Sequence, residues 1–394
     1  MKKKLLIHMA KDRNGGEFRR IARLSKDSDL ILGTDTYELV FLPVRLIRCL
    51  PSLRNNQLGV KLYLLPCLLP FTRFRIVLKI NNVIARMVAK CIYHKLKPDV
   101  VWGETLGGNT IAVTLPAQKY IADFHGASPE ESNYFRPNSD GLRKSNLMEK
   151  EVLNKADAIV VQSLAMKEHL IKKHKEVNAN KIVVYHCGVD ADMFDYRKVD
   201  VHVKRAEFGF ADSDIIFSYI GGTNKWQMLY PTLDVFHAVK QFLPKAKMQL
   251  ILQGDSAPYS EYCKNKGIQD VIIVQNVPFD HVYERISISD FAWLLRENII
   301  LNQVASPTKL GEYLSCGQII ITTDVVDSWS WLNRQDVIVI DPLSPKASAV
   351  VILDYIHEHE NYSAFKPKMR ALGVNNLSSE KDRNRLKDLV DILK

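Results

Sequence analysis

The residues best suited to bind a phosphorylated ligand lie in the stretch 296–324, where Lys309 and Glu312 stand out. Ser306 and Pro307 predict a helix start, with Ser306 as the N-cap and Pro307 in the first helical position. Lys309 and Glu312 are three residues apart, so their side chains share one face of that helix. A cation near a helix N-terminus is favourable only where an anion binds. A carboxylate one turn further along can accept hydrogen bonds from two vicinal hydroxyls. The pattern predicts a site for a nucleoside diphosphate and its ribose.

The elements around this stretch place it at one edge of a sheet. The apolar run Phe291–Leu295 predicts a buried strand, Thr308–Cys316 a helix that ends at Gly317, and Gln318–Thr322 the next strand. Ligands bind at the carboxyl edge of a parallel sheet. The candidates there are Arg296, Ser306, Thr308, Lys309 and Glu312. The alternative interpretation is a surface helix with an ordinary i,i+3 Lys–Glu pair.

A second phosphate-binding pattern follows the predicted strand Asp214–Ile220. Its sequence is Gly-Gly-Thr-Asn-Lys-Trp, residues 221–226, between a strand and a helix. Backbone amides in such a loop can cradle a phosphate. The candidates are Gly222, Asn224 and Lys225.

The first half of the chain has two further candidate positions. Gly15 and Gly16 separate the predicted strand Lys4–Met9 from a helix over Glu17–Leu24, so their amides can approach a ligand. His125 follows the predicted strand Lys119–Phe124, at the carboxyl edge. The sequence also predicts a short strand over Asp29–Leu32 and a polar, acceptor-binding loop over Ser128–Ser139.

The twelve residues 306–317, S-P-T-K-L-G-E-Y-L-S-C-G, resemble the donor-binding motif of GT-B glycosyltransferases of retaining family 4, in the subgroup with S-P-x-K. His-Cys-Gly-Val-Asp, residues 186–190, resembles the family's N-G-V-D turn. The resemblance implies an α/β GT-B fold with two Rossmann-like domains facing across a cleft. The implied domains are an acceptor-binding domain (1–190, with a basic apolar section over 41–97), a nucleotide-sugar domain (191–375) and a C-terminal helix that crosses back (376–394).

The resemblance also implies roles for individual residues. Glu312 would hold the ribose, Lys225 the β-phosphate, and His125 would contact the donor sugar or acceptor. Lys309 and Arg296 would complete the diphosphate site, with Arg296 in place of an arginine that relatives carry elsewhere. Pro278 would touch the nucleobase. Many members have a further glutamate eight positions before the ribose-binding one, where this chain has Val304.

The net charge of +10 over 394 residues is unevenly distributed. The section 41–97 contains eleven Lys and Arg residues and no Asp or Glu. It includes the apolar run Leu62–Phe71 and a predicted helix over Arg73–Lys95 with one apolar face. Two interpretations remain open: a core-facing helix with a solvated basic face, or a surface that docks on anionic lipid. A nucleic-acid partner is not expected, because no binding motif accompanies the charge.

We therefore expect a retaining, hexosyltransferase-like enzyme that needs neither a metal ion nor a cofactor. Its expected partners are a nucleotide-sugar and a glycan or lipid-linked acceptor. The expected process is bacterial surface polysaccharide synthesis. The six scattered cysteines and the lack of an apolar run of membrane-spanning length suggest a cytoplasmic location, with peripheral attachment to the inner face of the membrane. Two alternatives are a GT-B nucleotide-sugar epimerase and a non-catalytic, membrane-associated GT-B scaffold.

Overall fold

The chain divides into two compact units. The computed structural model describes residues 2–9, 16–43, 58–67, 75–325, 331–359 and 361–394. Unit 1 comprises Met1–His186 together with Asp382–Lys394, and unit 2 comprises Cys187–Lys381. The sequence had suggested boundaries after residues 190 and 375. Gly15 and the arginines at 45, 48, 54 and 73 lie outside the described residues.

Unit 1 is built on a seven-stranded parallel sheet in the order β3-β2-β1-β4-β5-β6-β7. Its strands are β1 (Lys2–Met9), β2 (Thr34–Pro43), β3 (Lys61–Cys67), β4 (Val100–Glu104), β5 (Tyr120–Phe124), β6 (Ala158–Val161) and β7 (Ile182–Val184). The strand order reverses between β1 and β4. In doubly wound sheets, this reversal point is where ligands bind at the carboxyl edge.

Unit 2 repeats the arrangement with a six-stranded parallel sheet in the order β10-β9-β8-β11-β12-β13. Its strands are β8 (Ile215–Gly221), β9 (Ala246–Leu252), β10 (Val271–Gln275), β11 (Phe291–Leu294), β12 (Ile319–Thr322) and β13 (Ile338–Val339). Here the order reverses between β8 and β11. Both of these strands are followed by candidate residues of the predicted donor site.

Helices connect the strands of both sheets. They are α1 (Gly16–Leu32), α2 (Arg75–Leu96), α3 (Thr105–Ala112), α4 (Ser128–Phe135), α5 (Ser139–Lys155), α6 (Leu164–Lys173), α7 (Val201–Glu207), α8 (Leu229–Lys240), α9 (Ala257–Lys266), α10 (Val282–Ser287), α11 (Ile300–Gln303), α12 (Thr308–Ser315), α13 (Pro345–Glu358), α14 (Lys366–Leu377), α15 (Ser379–Arg385) and α16 (Asp388–Ile392). Short 3-10 turns include Lys225–Gln227 and Phe279–His281.

Helix α12 is enclosed on all sides, because every residue from Lys309 to Ser315 is buried. Gly311 allows close packing, since a Cβ there would lie 3.1 Å from the Val189 Cβ. Gly317 has a φ of +79° and ends the helix as predicted. Burial therefore fixes where the polar side chains of this helix point.

Two predictions of local structure are wrong. Asp29–Leu32 is the last turn of α1 and not a strand. The run of three apolar residues over 30–32 fits either structure, and the strand begins after it as β2. Ser128–Ser139 is not a loop, because α4 occupies most of it with Pro129 in its first turn. Proline is well accommodated there, since that amide needs no partner within the helix.

Candidate functional site

The start and end of the loop after β8 contact the amine of Lys309. This Nζ donates a hydrogen bond of 2.7 Å to Gln227 Oε1 and lies 4.3 Å from the ring centroid of Tyr219. Gly221 has a φ of +128°, and a Cβ there would lie 3.1 Å from the same Nζ. The loop after β8 therefore wraps the amine, and a glycine is needed at position 221 for both space and conformation.

Lys309 is buried without a carboxylate that pairs with its amine among the described residues. Only 8% of the residue is exposed, and no described carboxylate forms an ion pair with it. Burial and the nearby Arg296 guanidinium lower the pKa of Lys309 well below its ordinary value, against a weaker opposing effect of Glu312. A buried cation without a counter-ion favours binding of an anion.

Arg296 provides a second buried basic side chain near Lys309. It follows β11, is 8% exposed, and its side chain donates no hydrogen bond to a described residue. Its backbone amide donates to Thr323 Oγ1 at 3.0 Å, which fixes the residue at the end of the strand. Burial lowers the pKa of this guanidinium. Two cations at the sheet edge match the charge of a diphosphate.

Two hydrogen bonds tie the loop after β8 to the loop after β11. Glu297 N donates to Trp226 O at 3.0 Å, and Asn302 Nδ2 donates to the same oxygen at 3.4 Å. These bonds hold the loop that carries Lys225 against the loop that carries Arg296. The fold thus assembles basic residues from separate parts of the sequence at the reversal point of the sheet.

Glu312 is buried on the same helix as Lys309, with 7% of the residue exposed. The surface-helix interpretation is therefore wrong, because neither member of the pair lies on a solvated face. The spacing of three residues places the carboxylate one turn deeper along the helix. Its assignment to a ribose stays a prediction.

The remaining unit 2 candidates differ in their placement. Asn224 and Lys225 are exposed in the loop after β8, and Gly222 and Thr308 are partly buried. Pro278 is exposed and follows β10, two strands from β8 in the sheet order. The role of Pro278 at a nucleobase stays a prediction.

Ser306 does not cap helix α12, contrary to the prediction. The N-cap position is Pro307, with no side-chain cap, and Ser306 Oγ accepts a hydrogen bond of 3.2 Å from Cys187 N. A serine hydroxyl can satisfy any nearby backbone donor, and here it binds another segment of unit 2. The exposed part of Ser306 remains available to a ligand.

In unit 1, His125 lies in a buried group of charged side chains. Its Nε2 lies 2.5 Å from Glu104 Oε2 and 2.7 Å from Asp123 Oδ2, and its Nδ1 lies 3.3 Å from Glu17 Oε1. Arg20 donates to both oxygens of Asp123, at 2.9 Å for the Nη2–Oδ1 bond. These residues come from α1 and from the ends of β4 and β5, next to the reversal point of this sheet.

The charges in this group perturb one another. Burial lowers the pKa of His125, but Asp123 and Glu104 together raise it well above its ordinary value. Burial raises the pKa of Asp123, but Arg20 and His125 hold it below its ordinary value of 3.8. Burial and the charge of Asp123 raise the pKa of Glu104 to about 7. The two carboxylates therefore favour the charged form of the imidazole, and Glu104 lies within hydrogen-bond distance of the ring to share its proton.

Glu104, Asp123 and His125 also form a set of potential metal ligands. Their separations of 2.5 and 2.7 Å are hydrogen-bond distances, whereas tetrahedral zinc ligands would lie about 3.4 Å apart. Arg20 already neutralises Asp123. The geometry fits a hydrogen-bonded ion-pair network better than a metal centre, and metal independence stays a prediction.

Gly16 is the first residue of α1, while Gly15 lies outside the described residues. Thr105, which directly follows Glu104, has a φ of +57°, a strained conformation for a β-branched residue. Such strain is typical of functional sites. The strain at Thr105 supports a functional role for this edge of unit 1.

Sequence reasoning missed several residues of both groups. Tyr219 and Gln227 flank the glycine loop of unit 2, and Arg20 and Glu104 surround His125. Of these residues, only Glu104 could have been selected from the sequence, because it is the last residue of β4 and so lies at the same sheet edge as His125. The others are recognisable only from their contacts.

Comparisons with known proteins agree with this geometry. The family described as Glycosyltransferase Family 4 matches residues 52–193. No curated protein matches the chain. Anabaena HepE, solved with UDP and glucose, is similar in structure at 14% identity and a TM-score of 0.71, covering 99% of this chain and 100% of that one.

Two further solved structures are similar. A glycosyltransferase from Rickettsia africae ESF-5 has 16% identity and a TM-score of 0.72, covering 100% of this chain and 99% of that one. WaaG, a glycosyltransferase involved in lipopolysaccharide biosynthesis, has 11% identity and a TM-score of 0.70, covering 98% of this chain and 99% of that one. The GT-B fold is confirmed, and the family match confirms that the chain is a glycosyltransferase.

Proposed function

We propose that this chain transfers a sugar with retention of anomeric configuration. The premise is that it is a GT-B glycosyltransferase with a Glycosyltransferase Family 4 domain. The donor is a nucleoside-diphosphate sugar bound by unit 2. The acceptor is a glycan bound by unit 1, carried on a lipid in surface polysaccharide synthesis. The observation that carries the donor assignment is the pair of buried basic side chains, Lys309 and Arg296, without a carboxylate partner among the described residues.

In the proposed reaction, the bond between the sugar C1 and the diphosphate oxygen breaks. The acceptor hydroxyl forms the new bond to C1, and its proton is released with the nucleoside diphosphate. Negative charge therefore develops on the leaving diphosphate. Lys309 and Arg296 are placed to stabilise it from buried positions, where fixed charges act most strongly. Lys225, on the exposed loop, adds a third cation.

Glu312 is assigned to the ribose hydroxyls and His125 to a sugar hydroxyl in unit 1. A charged imidazole donates hydrogen bonds from both nitrogens. Glu104 and Asp123 hold Nε2 and so orient the ring, while Nδ1 faces the partly exposed Glu17 at 3.3 Å and is the nitrogen assigned to the sugar hydroxyl. We therefore assign His125 a binding role and not that of a general base, because its carboxylate neighbours raise its pKa and favour the protonated ring.

The donor assignment is tested by calorimetric titration with nucleoside diphosphates, beginning with UDP because the HepE structures contain UDP. Binding of one nucleotide that Glu312→Ala weakens supports the donor site. Absence of binding by any nucleotide would favour the scaffold alternative. Consumption of the nucleotide-sugar without an acceptor would favour the epimerase. An NMR spectrum of the product that shows inverted configuration would refute retention.

The lipid-linked acceptor rests on the outer face of helix α2. One side of the helix is formed by Ala85, Ala89, Ile92 and Leu96, which are all buried. The apolar stripe of Ile80, Val83, Ile84 and Met87 lies on the opposite side, and each member is between 44% and 62% exposed. The core-facing interpretation of this stripe is therefore wrong.

The charge beside the stripe indicates what covers it. Lys79, Arg86 and Lys90 are exposed on the same helix, and the section 41–97 has no acidic residue. Burying four half-exposed apolar side chains contributes about 4 kcal/mol, and three cations near an anionic surface contribute about 3 kcal/mol. We assign the stripe to an anionic lipid surface, bound peripherally. None of the described helices is both long and apolar enough to cross a bilayer.

The lipid assignment is tested by flotation with phosphatidylcholine vesicles, with and without phosphatidylglycerol. We expect binding only to the anionic vesicles, reduced by salt and lost in Ile80→Ser/Val83→Ser. The matched control is Val350→Ser/Val351→Ser on α13, a second pair of exposed valines that should bind as the wild type does. Unchanged binding of the α2 variant would refute the assignment. A dimer in solution that the α2 variant converts to a monomer would assign the stripe to a second copy of the chain.

A further inference from the structure

The amine of Lys309 is held by neutral groups. Its hydrogen-bond acceptor is the amide oxygen Gln227 Oε1, at 2.7 Å, and the Tyr219 ring lies beside it. Gln227 is itself fixed, because Tyr219 Oη donates to the same oxygen at 3.1 Å and to Gly222 O at 2.6 Å. A carboxylate in place of this amide would hold the lysine charged at all ordinary pH values.

The other groups around Lys309 do not supply a matching charge. Arg296, at the end of β11, is a second cation and disfavours a charge on the lysine. Tyr219 on β8 and Tyr313 on α12 are buried phenols whose pKa values are raised by burial, so they remain neutral. Within the described part of the chain, Glu312 is the carboxylate that acts on Lys309, and its effect on the lysine pKa is weaker than those of burial and Arg296.

We propose that Lys309 is a neutral amine in the empty donor site and takes up one proton when a diphosphate binds. Gln227 is the positioning residue, because it holds the amine through an amide oxygen and gives it no negative charge before the diphosphate arrives. This inference rests on the proposed donor function. The amine nitrogen gains a proton from solvent, and no other bond changes. A neutral amine still donates to Gln227, so the same contact holds the side chain in both states.

The exchange gives nucleotide affinity a defined pH dependence. A diphosphate beside Lys309 raises its pKa, because an opposite charge nearby favours the protonated form. Affinity is therefore constant below the pKa of the empty site. It weakens about tenfold per pH unit above that value, until the pKa of the occupied site is reached. Storage as the neutral amine also avoids two adjacent buried cations in the empty site.

The test is calorimetric titration of UDP at pH 8, in buffers that differ in ionisation enthalpy. The nucleotide's own terminal phosphate, with a pKa of about 6, no longer exchanges a proton there. For the wild type, we expect uptake of up to one proton per UDP. Gln227→Glu should abolish the uptake, because its carboxylate keeps Lys309 charged, and Lys309→Met should abolish it together with most of the affinity.

Lys225→Met is the matched control, since Lys225 is an exposed cation in the same loop. It should weaken binding and leave the proton uptake unchanged. Binding by the wild type without proton uptake, or uptake that persists in Lys309→Met, would overturn this inference and leave the donor site intact. If no nucleoside diphosphate binds at all, the proposed function itself fails.

Discussion

The buried pair of Arg20 and Asp123 offers a sharp test of the electrostatics around His125. Arg20 is 2% exposed and Asp123 is fully buried, and two hydrogen bonds join them. Arg20 Nη2 also donates to Tyr185 O at 3.3 Å. Arg20→Met should fill similar space but leave the Asp123 carboxylate without its main counter-ion. Loss of one partner of a buried pair costs about 3–5 kcal/mol, and we expect this loss in the free energy of unfolding of unit 1 near pH 8.

The loss of unfolding free energy in Arg20→Met should become smaller as the pH falls. In the wild type, Arg20 and His125 hold the pKa of Asp123 below 3.8, against the effect of burial. The carboxylate therefore contributes stability above the unfolded pKa, and this contribution is lost as the pH falls. Without Arg20, the carboxyl group is easier to protonate. The difference in the free energy of unfolding of unit 1 between the wild type and Arg20→Met should therefore narrow as the pH is lowered from 8 to 4.

Hydrogen exchange of the amides in β5 measures this stability within unit 1, and so avoids assuming that both units unfold together. The matched control is Arg143→Met. Arg143 pairs with Asp140 at 3.9 Å, with both side chains more than 60% exposed, so its loss should cost less than about 1 kcal/mol. Arg20→Met/Asp123→Asn should be milder than Arg20→Met alone. A deficit below about 1 kcal/mol for Arg20→Met, or one that does not change with pH, would refute the reasoning.

Three further predictions follow from the donor site. Lys309→Ala should slow turnover by about 10²–10³, equivalent to about 3–4 kcal/mol, because a charge beside the leaving diphosphate is lost; normal steady-state turnover would contradict this. Gly221→Ala should weaken UDP binding by about 1 kcal/mol or more in calorimetry, since its φ is +128° and its Cβ would crowd Lys309; unchanged affinity would contradict it. Val304→Glu should lower the melting temperature without raising activity, because position 304 is 1% exposed and a buried carboxylate costs about 3 kcal/mol or more; a stable, more active variant would contradict this.

The sequence was most informative where local chemistry and sheet topology coincide. The sequence predicted the strand, glycine loop and helix of residues 215–240 and the strand, loop and helix of residues 291–315. Apolar runs mark the buried strands there, and Gly221 and Gly317 mark where a strand and a helix end. Lys309 and Glu312 could be selected from spacing alone. Their burial could not, since it depends on packing between α12 and residues far along the chain, such as Val189.

Predictions failed where one pattern fits two structures. Helix α2 has apolar residues on two faces, and the sequence does not show that the face with the small residues Ala85 and Ala89 is the buried one. Pro129 reads as a loop signal but begins a helix. The partners of His125 and Lys309 come from separate elements, so Arg20 and Gln227 have no local signature. These contacts are a property of the tertiary fold.

The central claim is that unit 2 holds a nucleoside diphosphate through buried cations and a buried carboxylate. The most direct measurement is calorimetric titration of the wild type and Glu312→Ala with a panel of nucleoside diphosphates. The account predicts that one nucleotide binds the wild type in a one-to-one ratio and binds Glu312→Ala far more weakly. Equal binding to both would contradict the role of Glu312. Absence of binding to the wild type by every member of the panel would contradict the donor site itself.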